Sequence, residues 1–223
     1  MKVTKTSYLY CHRMMRLFNY MSGLETKDLH SLLTKSSMLC ALMAYAHSSK
    51  LEIEAGTLSF LPQYNVFDKK KVFALFGAHV RQLVMEANDL RLMFLNDEED
   101  LDVMRGVNIY AKNIYMYQCY VDLVDMFTVS HEHFIIDGVK WTIKGEKVIN
   151  GSDSYSIPEF HLWCVETIKW KMSLLDYFNS DIDQAIKEVI KQYREQKGFV
   201  FDVELNYENA DTDESPADSG VTG

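Results

Sequence analysis

Cysteine is scarce and scattered: Cys11, Cys40, Cys119 and Cys164 lie far apart and form no CxxC pair. That spacing argues against a disulfide framework or a zinc site and points to buried thiols in a reducing compartment. No apolar run is long enough to cross a bilayer. The most apolar window, residues 38–46, is less than half of the roughly 20 residues required. A signal-type N-terminal run is missing too, so a cytoplasmic protein without a membrane partner is expected. The chain also lacks GxSxG, a GxGxxG after a strand, a phosphate loop and HExxH. No arginine is followed four to six residues later by histidine, a spacing found in compact helical ribonucleases.

Net charge is −9, but it is unevenly placed. Seven acids and no lysine or arginine fall between Asp202 and Gly223, which leaves 25 acids against 23 bases in the first 201 residues. The body is therefore nearly neutral, and this weakens the idea that the whole chain is an acidic nucleic-acid mimic. Beyond Tyr207 the residues are too polar to offset their ordering entropy. The division expected is one mostly helical domain, 1–207, and a disordered acidic tail, 208–223.

What is present is helical periodicity. In residues 68–95, Phe73, Phe76, Val80, Leu83, Ala87, Leu90 and Phe94 recur in steps of three and four. In 100–127, Val103, Val107, Tyr110, Ile114, Tyr117, Val121 and Val124 do the same. Each set forms one stripe of an α-helix. The short acidic link between them makes the two an antiparallel hairpin. Asp68 is placed to cap the first helix, and the acids from Asp97 onward suit the positive end of the second.

Around this hairpin the chain predicts helices from Thr6 or Ser7 to near Gly23 and from Thr26 to about Ser48. Apolar–polar alternation, Leu51 and Ile53 with Glu52 and Glu54 and then Leu58 and Phe60 with Ser59, predicts a small β-hairpin turning at Ala55-Gly56-Thr57. A second hairpin is predicted from 133–136 and 139–143 about Asp137-Gly138, a favoured two-residue turn, with a third strand at 147–149. Residues 150–154 read as a polar loop. Ser156 and Glu159 have the spacing of a capping box, opening a helix with Trp163, Thr167, Trp170, Leu174 and Tyr177 on its inner stripe. Ser180 would cap a last helix with Ile182, Ile186, Val189 and Tyr193 inward, and 199–205 alternates as a strand. The expected fold is mainly α: a helical bundle on a long antiparallel hairpin, with two small β-hairpins or a meander.

Chemistry-bearing clusters are few. His131 and His133 would share one face of a strand and are the metal-ligand candidates, although spacing identifies no third ligand. Asp122 and Asp125, three apart on a helix, form a carboxylate pair read as a solvated or helix-facing polar edge. Tyr110, Tyr115, Tyr117 and Tyr120 crowd one helix with Met116. Tyr110 and Tyr117 fall on the apolar stripe and are assigned to the core. Tyr115, Met116 and Tyr120 fall off it and are the candidates for a protein-binding face.

With no catalytic constellation, the expected function is a non-enzymatic binder, inhibitor or adaptor acting on another protein. That make-up is common among products of phages and mobile elements. No cofactor and no direct nucleic-acid binding are expected. The alternatives are a metal-binding or hydrolytic helical bundle using the His131/His133 region with Asp122 and Asp125, and an acidic mimic of nucleic acid.

Overall fold

Ser156 shows how directly local chemistry sets this fold. Its hydroxyl accepts from Glu159 N, while the Glu159 carboxylate accepts from Ser156 N at 2.9 Å. Two backbone donors of the first turn are thereby satisfied, and Pro158 fits where no N–H is needed. These hydrogen bonds hold the Glu159 carboxyl below its usual range. Ser156→Ala should lower stability by about 1 kcal/mol, read from the urea midpoint.

The computed structural model describes residues 5–46, 48–96, 100–128, 133–136, 138–151 and 153–176, together with Gln184 and Lys191. Among these the helices are α1 Lys5–Ser22, α2 Leu29–Tyr45, α3 Lys50–Leu58, α4 Lys69–Phe76, α5 Ala78–Leu95, α6 Leu101–Gly106, α7 Ile109–Thr128 and α8 Ile157–Leu174. The strands are β1 His133–Ile136, β2 Val139–Lys144, β3 Lys147–Asn150 and β4 Asp153–Ser156. They form one antiparallel meander in the order β1-β2-β3-β4. The fold is a mainly helical bundle built on the α5–α7 hairpin, with the small sheet packed against α7 and α8.

Each arm of the predicted hairpin is broken near its N-terminal end. Gly77 has φ +95°, a left-handed value that glycine tolerates, and its N–H closes α4 on the Phe73 carbonyl. The chain bends there before α5 begins. In the second arm α6 stops at Gly106, Val107 is extended, and Asn108 restarts the helix by accepting from Tyr110 N at 2.9 Å. The breaks change which apolar residues face inward. Phe73, Val103 and Tyr110 are exposed, whereas Val80, Leu83, Ala87 and Leu90 on α5, and Ile114, Tyr117 and Val121 on α7, are buried as their stripes require. Asp68 and Asp100 cap α4 and α6 as their positions imply.

Residues 51–60 are not a hairpin. They fold as α3, opened by a second capping box in which Ser49 Oγ accepts from Glu52 N. The alternation that resembles a strand has another cause. Glu52 closes the cap and accepts from Asn113 of α7 at 3.2 Å, and Glu54 pairs with Arg13 of α1 at 2.6 Å. Burial raises the Glu54 carboxyl, with Arg13 opposing. α3 is covered on nearly all sides, so no single stripe marks it. Gly56 permits its closeness to α2, because a Cβ there would stand 2.3 Å from Met43 Sδ.

The region read as a polar loop at 150–154 contains β4, paired with β3 through Asn150↔Asp153, with Gly151 at φ +55°. On α8 the buried face carries Phe160, Cys164, Val165, Ile168 and Met172. The predicted stripe was rotated: Trp163 and Trp170 lie at its exposed edge. The helix predicted after Ser180, the strand at 199–205 and the tail at 208–223 lie outside the described residues, apart from helical positions at Gln184 and Lys191.

Candidate functional site

Two kinds of feature compete for attention: charges sealed inside the bundle, and apolar side chains left outside it. The sealed charges centre on Lys35, placed by α2 on the same inward stripe as Leu32, Leu39 and Met43. Its side chain is fully buried, and its Nζ donates to Asp122 Oδ1 at 2.6 Å, stands 3.7 Å from Asp125 Oδ2 and donates to the Ile135 carbonyl of β1. The Phe60 ring centroid is 5.8 Å away. Burial alone would lower the Lys35 pKa, but Asp122 and the other neighbouring acceptors outweigh it and hold the ammonium above its ordinary value. Nearby, the Tyr64 hydroxyl shares a 2.8 Å hydrogen bond with Ser31, and burial raises its pKa.

The Asp122/Asp125 pair is therefore the helix-facing alternative and not a solvated edge. Both carboxylates are buried and turned toward α2. Their geometry, one ammonium divided between two acids and a strand carbonyl, ties three elements together. Lys112 of α7 acts similarly. Its ammonium donates to the Arg105 carbonyl at 2.9 Å and the Leu175 carbonyl at 3.1 Å, joining the ends of α6 and α8. Burial pulls its pKa down.

Of the metal candidates, His133 is exposed on β1 and His131 lies outside the described residues. Among the described residues no three His, Cys, Asp or Glu side chains stand together in a way that could hold a metal. No described helix is long and apolar enough to cross a membrane.

The tyrosine assignments are reversed in part. Tyr115 and Met116 are fully buried and Tyr120 nearly so, while Tyr110 is 47% exposed. The reason is that α7 is the central helix, packed by α2, α3, α5, α8 and β1, so its off-stripe side chains also face protein. Tyr115 stacks on Phe94 of α5 at 5.6 Å between ring centroids. Tyr115, Met116 and Tyr120 thus have almost no surface to present. Tyr110, in the first turn of α7, extends past that cover.

Six of the exposed apolar side chains lie on α5 to α8 near helix ends that meet, while Met15, Tyr45, Leu51, Phe73 and Trp163 are exposed elsewhere. Leu92 and Leu95 stand at the end of α5, Val103 on α6, Ile109 and Tyr110 at the start of α7, and Trp170 near the end of α8. Their proximity is fixed by particular contacts. The Trp170 ring meets Phe94 edge-on at 5.6 Å, Lys112 bridges α6 to α8, and α6 packs on α8. Among the described residues, Asp89, Asp100, Asp102, Glu166 and Asp176, on or beside the same helices, are exposed, against exposed Arg105 and half-buried Lys169. The exposed charges described beside these apolar side chains are therefore mostly acidic. Sequence periodicity missed these apolar positions because they lie at the helix breaks and ends, where the next element decides what is covered. The available signal was the pair of breakers, Gly106 and Asn108, beside Ile109 and Tyr110.

No family model, curated protein or solved structure matches this chain.

Proposed function

We propose that this chain is a non-enzymatic interaction protein, a binder, inhibitor or adaptor, that docks a protein partner on its apolar, acid-rimmed end. The observation carrying this reading is that Leu92, Leu95, Val103, Ile109, Tyr110 and Trp170 are all exposed on four helices whose ends Lys112 and the Phe94–Trp170 contact hold together. Such surfaces with polar rims serve as protein contacts. The rim chooses among occupants. Five exposed acids favour a partner whose apolar face is bordered by lysine or arginine, and they disfavour a second copy of this chain, which would oppose acid to acid. The same acids oppose direct contact with nucleic acid. The reducing interior of a cell, the cytoplasm, is the setting we propose, since the four cysteines are few, far apart in the sequence and form no CxxC pair.

Site-specific photo-crosslinking in the producing cells tests the reading. A photoreactive residue in place of Ile109 or Trp170 should capture the same discrete protein, whereas one in place of Phe73, exposed on α4 beside Arg81 at the start of α5, should not. With that protein purified, Trp170→Ala should weaken binding roughly thirtyfold, the loss of about 2 kcal/mol typical of an aromatic anchor. Its helical circular dichroism should be unchanged. Equal capture from all three positions, or unchanged affinity on Trp170→Ala, would overturn the proposal.

A further inference from the structure

We propose that residues 202–223 of this chain dock, through their carboxylates, on a basic face that α1, α4 and the start of α5 present together. Leu92 and Leu95 stand at the other end of α5, so this face is separate from the apolar docking surface. Exposed Lys69, Lys70 and Lys71 fill the first turn of α4. Lys71 Nζ lies 5.2 Å from the Tyr20 ring centroid, which joins α4 to α1, and exposed Arg16 is one turn before Tyr20 on the same helix face. Half-buried Arg81, in the first turn of α5, lies 5.0 Å from the ring centroid of exposed Phe73.

No carboxylate in the described fold balances these charges. Three lysines at a helix start oppose the positive end of its dipole, and the first turn of α4 holds no acid to relieve them. Among the described residues, none of the five cations forms an ion pair. The buried Nε of Arg81 has no hydrogen-bond partner there either. Asp68, the neighbouring acid, already accepts from Lys70 N and Lys71 N at 2.9 and 3.0 Å. A face of this kind attracts anions.

Charge placement in the sequence identifies the occupant. Neither Lys5–Ser22 nor residues 69–85 contain Asp or Glu, whereas residues 202–223 contain seven acids and no lysine or arginine. Two acid-free, basic stretches thus complement one base-free, acidic stretch of the same chain. Asp100, Asp102 and Asp176, exposed beside the apolar side chains, repel such a segment and leave the basic face as its place. Reach permits it. The Phe94–Trp170 contact puts the end of α8 beside the end of α5, and α5 is about 27 Å long at about 1.5 Å per residue. The 25 residues from 177 to 201 cover about 37 Å even at that short rise. As part of the same chain, the segment is presented at an effective concentration that a scarce external anion does not match. Docked there, it closes the face to other polyanions, nucleic acid included.

The test is a photoreactive residue in place of Phe73 in the purified full chain, with adducts located by peptide mass mapping. Crosslinks should form within single chains and land between Asp202 and Asp218. Raising salt from about 50 mM to about 500 mM should reduce their yield roughly fivefold or more. The same photoreactive residue in place of Ile109 should not reach that segment. Lys69→Glu, Lys70→Glu and Lys71→Glu together should abolish the crosslink with helical circular dichroism unchanged, since acids suit a helix start. The crosslink map and its salt dependence without that triple change decide the matter even if the triple variant fails to fold. Crosslinks that join two chains, land outside 202–223 or ignore salt would each overturn the proposal, as would undiminished yield in a folded triple variant. Nuclease-sensitive adducts at Phe73 in the producing cells would overturn it too, by placing an external polyanion on the face.

Discussion

Lys35→Met should remove about 3–5 kcal/mol of stability, enough to lower the thermal midpoint on the order of 10 °C in a domain of this size. The physical reason is what the substitution leaves behind. Asp122 and Asp125 would remain buried with their shared cation gone, and the Ile135 carbonyl would lose its donor. An uncompensated buried charge is far more damaging than the loss of an ion pair as a whole. The triple variant Lys35→Met, Asp122→Leu, Asp125→Leu should therefore recover most of the lost stability.

The same cluster sets an alkaline limit. The Lys35 pKa is raised in the folded state, so its contribution is complete below the ordinary value of 10.5 and fades as pH rises through the higher folded value. Tyr64 acts in the same direction, because burial raises its hydroxyl above the ordinary 10.0. Urea melts from pH 7 to 11 should show stability falling above about pH 10 in the wild type and less steeply in the triple variant. A Lys35→Met protein as stable as the wild type at neutral pH would mean that water reaches the carboxylates and that the cluster is no staple.

How much of this was legible in the sequence depends on how local each cause is. The capping box at Ser156 and Glu159 and the hairpin β1–β2 with Gly138 at φ +82° were readable, since their determinants lie within a few residues. α3 had an equally local signal in Ser49 and Glu52, but the apolar–acidic alternation over 51–54 outweighed it. Glu52 and Glu54 are acidic for separate reasons, one a cap and one a partner for Arg13, and neither reason is strand amphipathicity. Lys35 was not legible at all. It interrupts an otherwise apolar stripe, and only the packing of α2 on α7 brings Asp122 and Asp125 to it from 87 and 90 positions away in the chain.

The apolar end was missed for a related reason. A stripe gives the phase of a helix but not where its cover stops. Tyr110 is in phase with Ile114, Tyr117 and Val121, yet it stands in the first turn of α7, beyond the elements that bury the other three. Tyr115 is out of phase and still fully buried, because a central helix has neighbours on every side.

That contrast yields the last expectation, in which two tyrosines five residues apart on one helix respond in opposite ways. Tyr115→Ala should destabilise the fold by about 3–5 kcal/mol, as aromatic truncations in a core do. It removes a fully buried ring that stacks on Phe94 at 5.6 Å and offers Lys171 one of its two aromatic faces. Tyr110→Ala removes a half-exposed ring at a helix start, so stability should change by no more than about 0.5 kcal/mol. Binding should show the reverse order of directness. In the folded Tyr110→Ala protein, affinity for the crosslinked partner should fall roughly tenfold or more, a hot-spot loss above about 1.4 kcal/mol. For Tyr115→Ala, any loss of binding should follow the unfolded fraction and be restored at temperatures where the variant is native. Denaturation and binding titrations on the same two preparations decide it. A stable Tyr115→Ala chain with impaired binding would place the contact surface on the inner face of α7 and remove it from the apolar end.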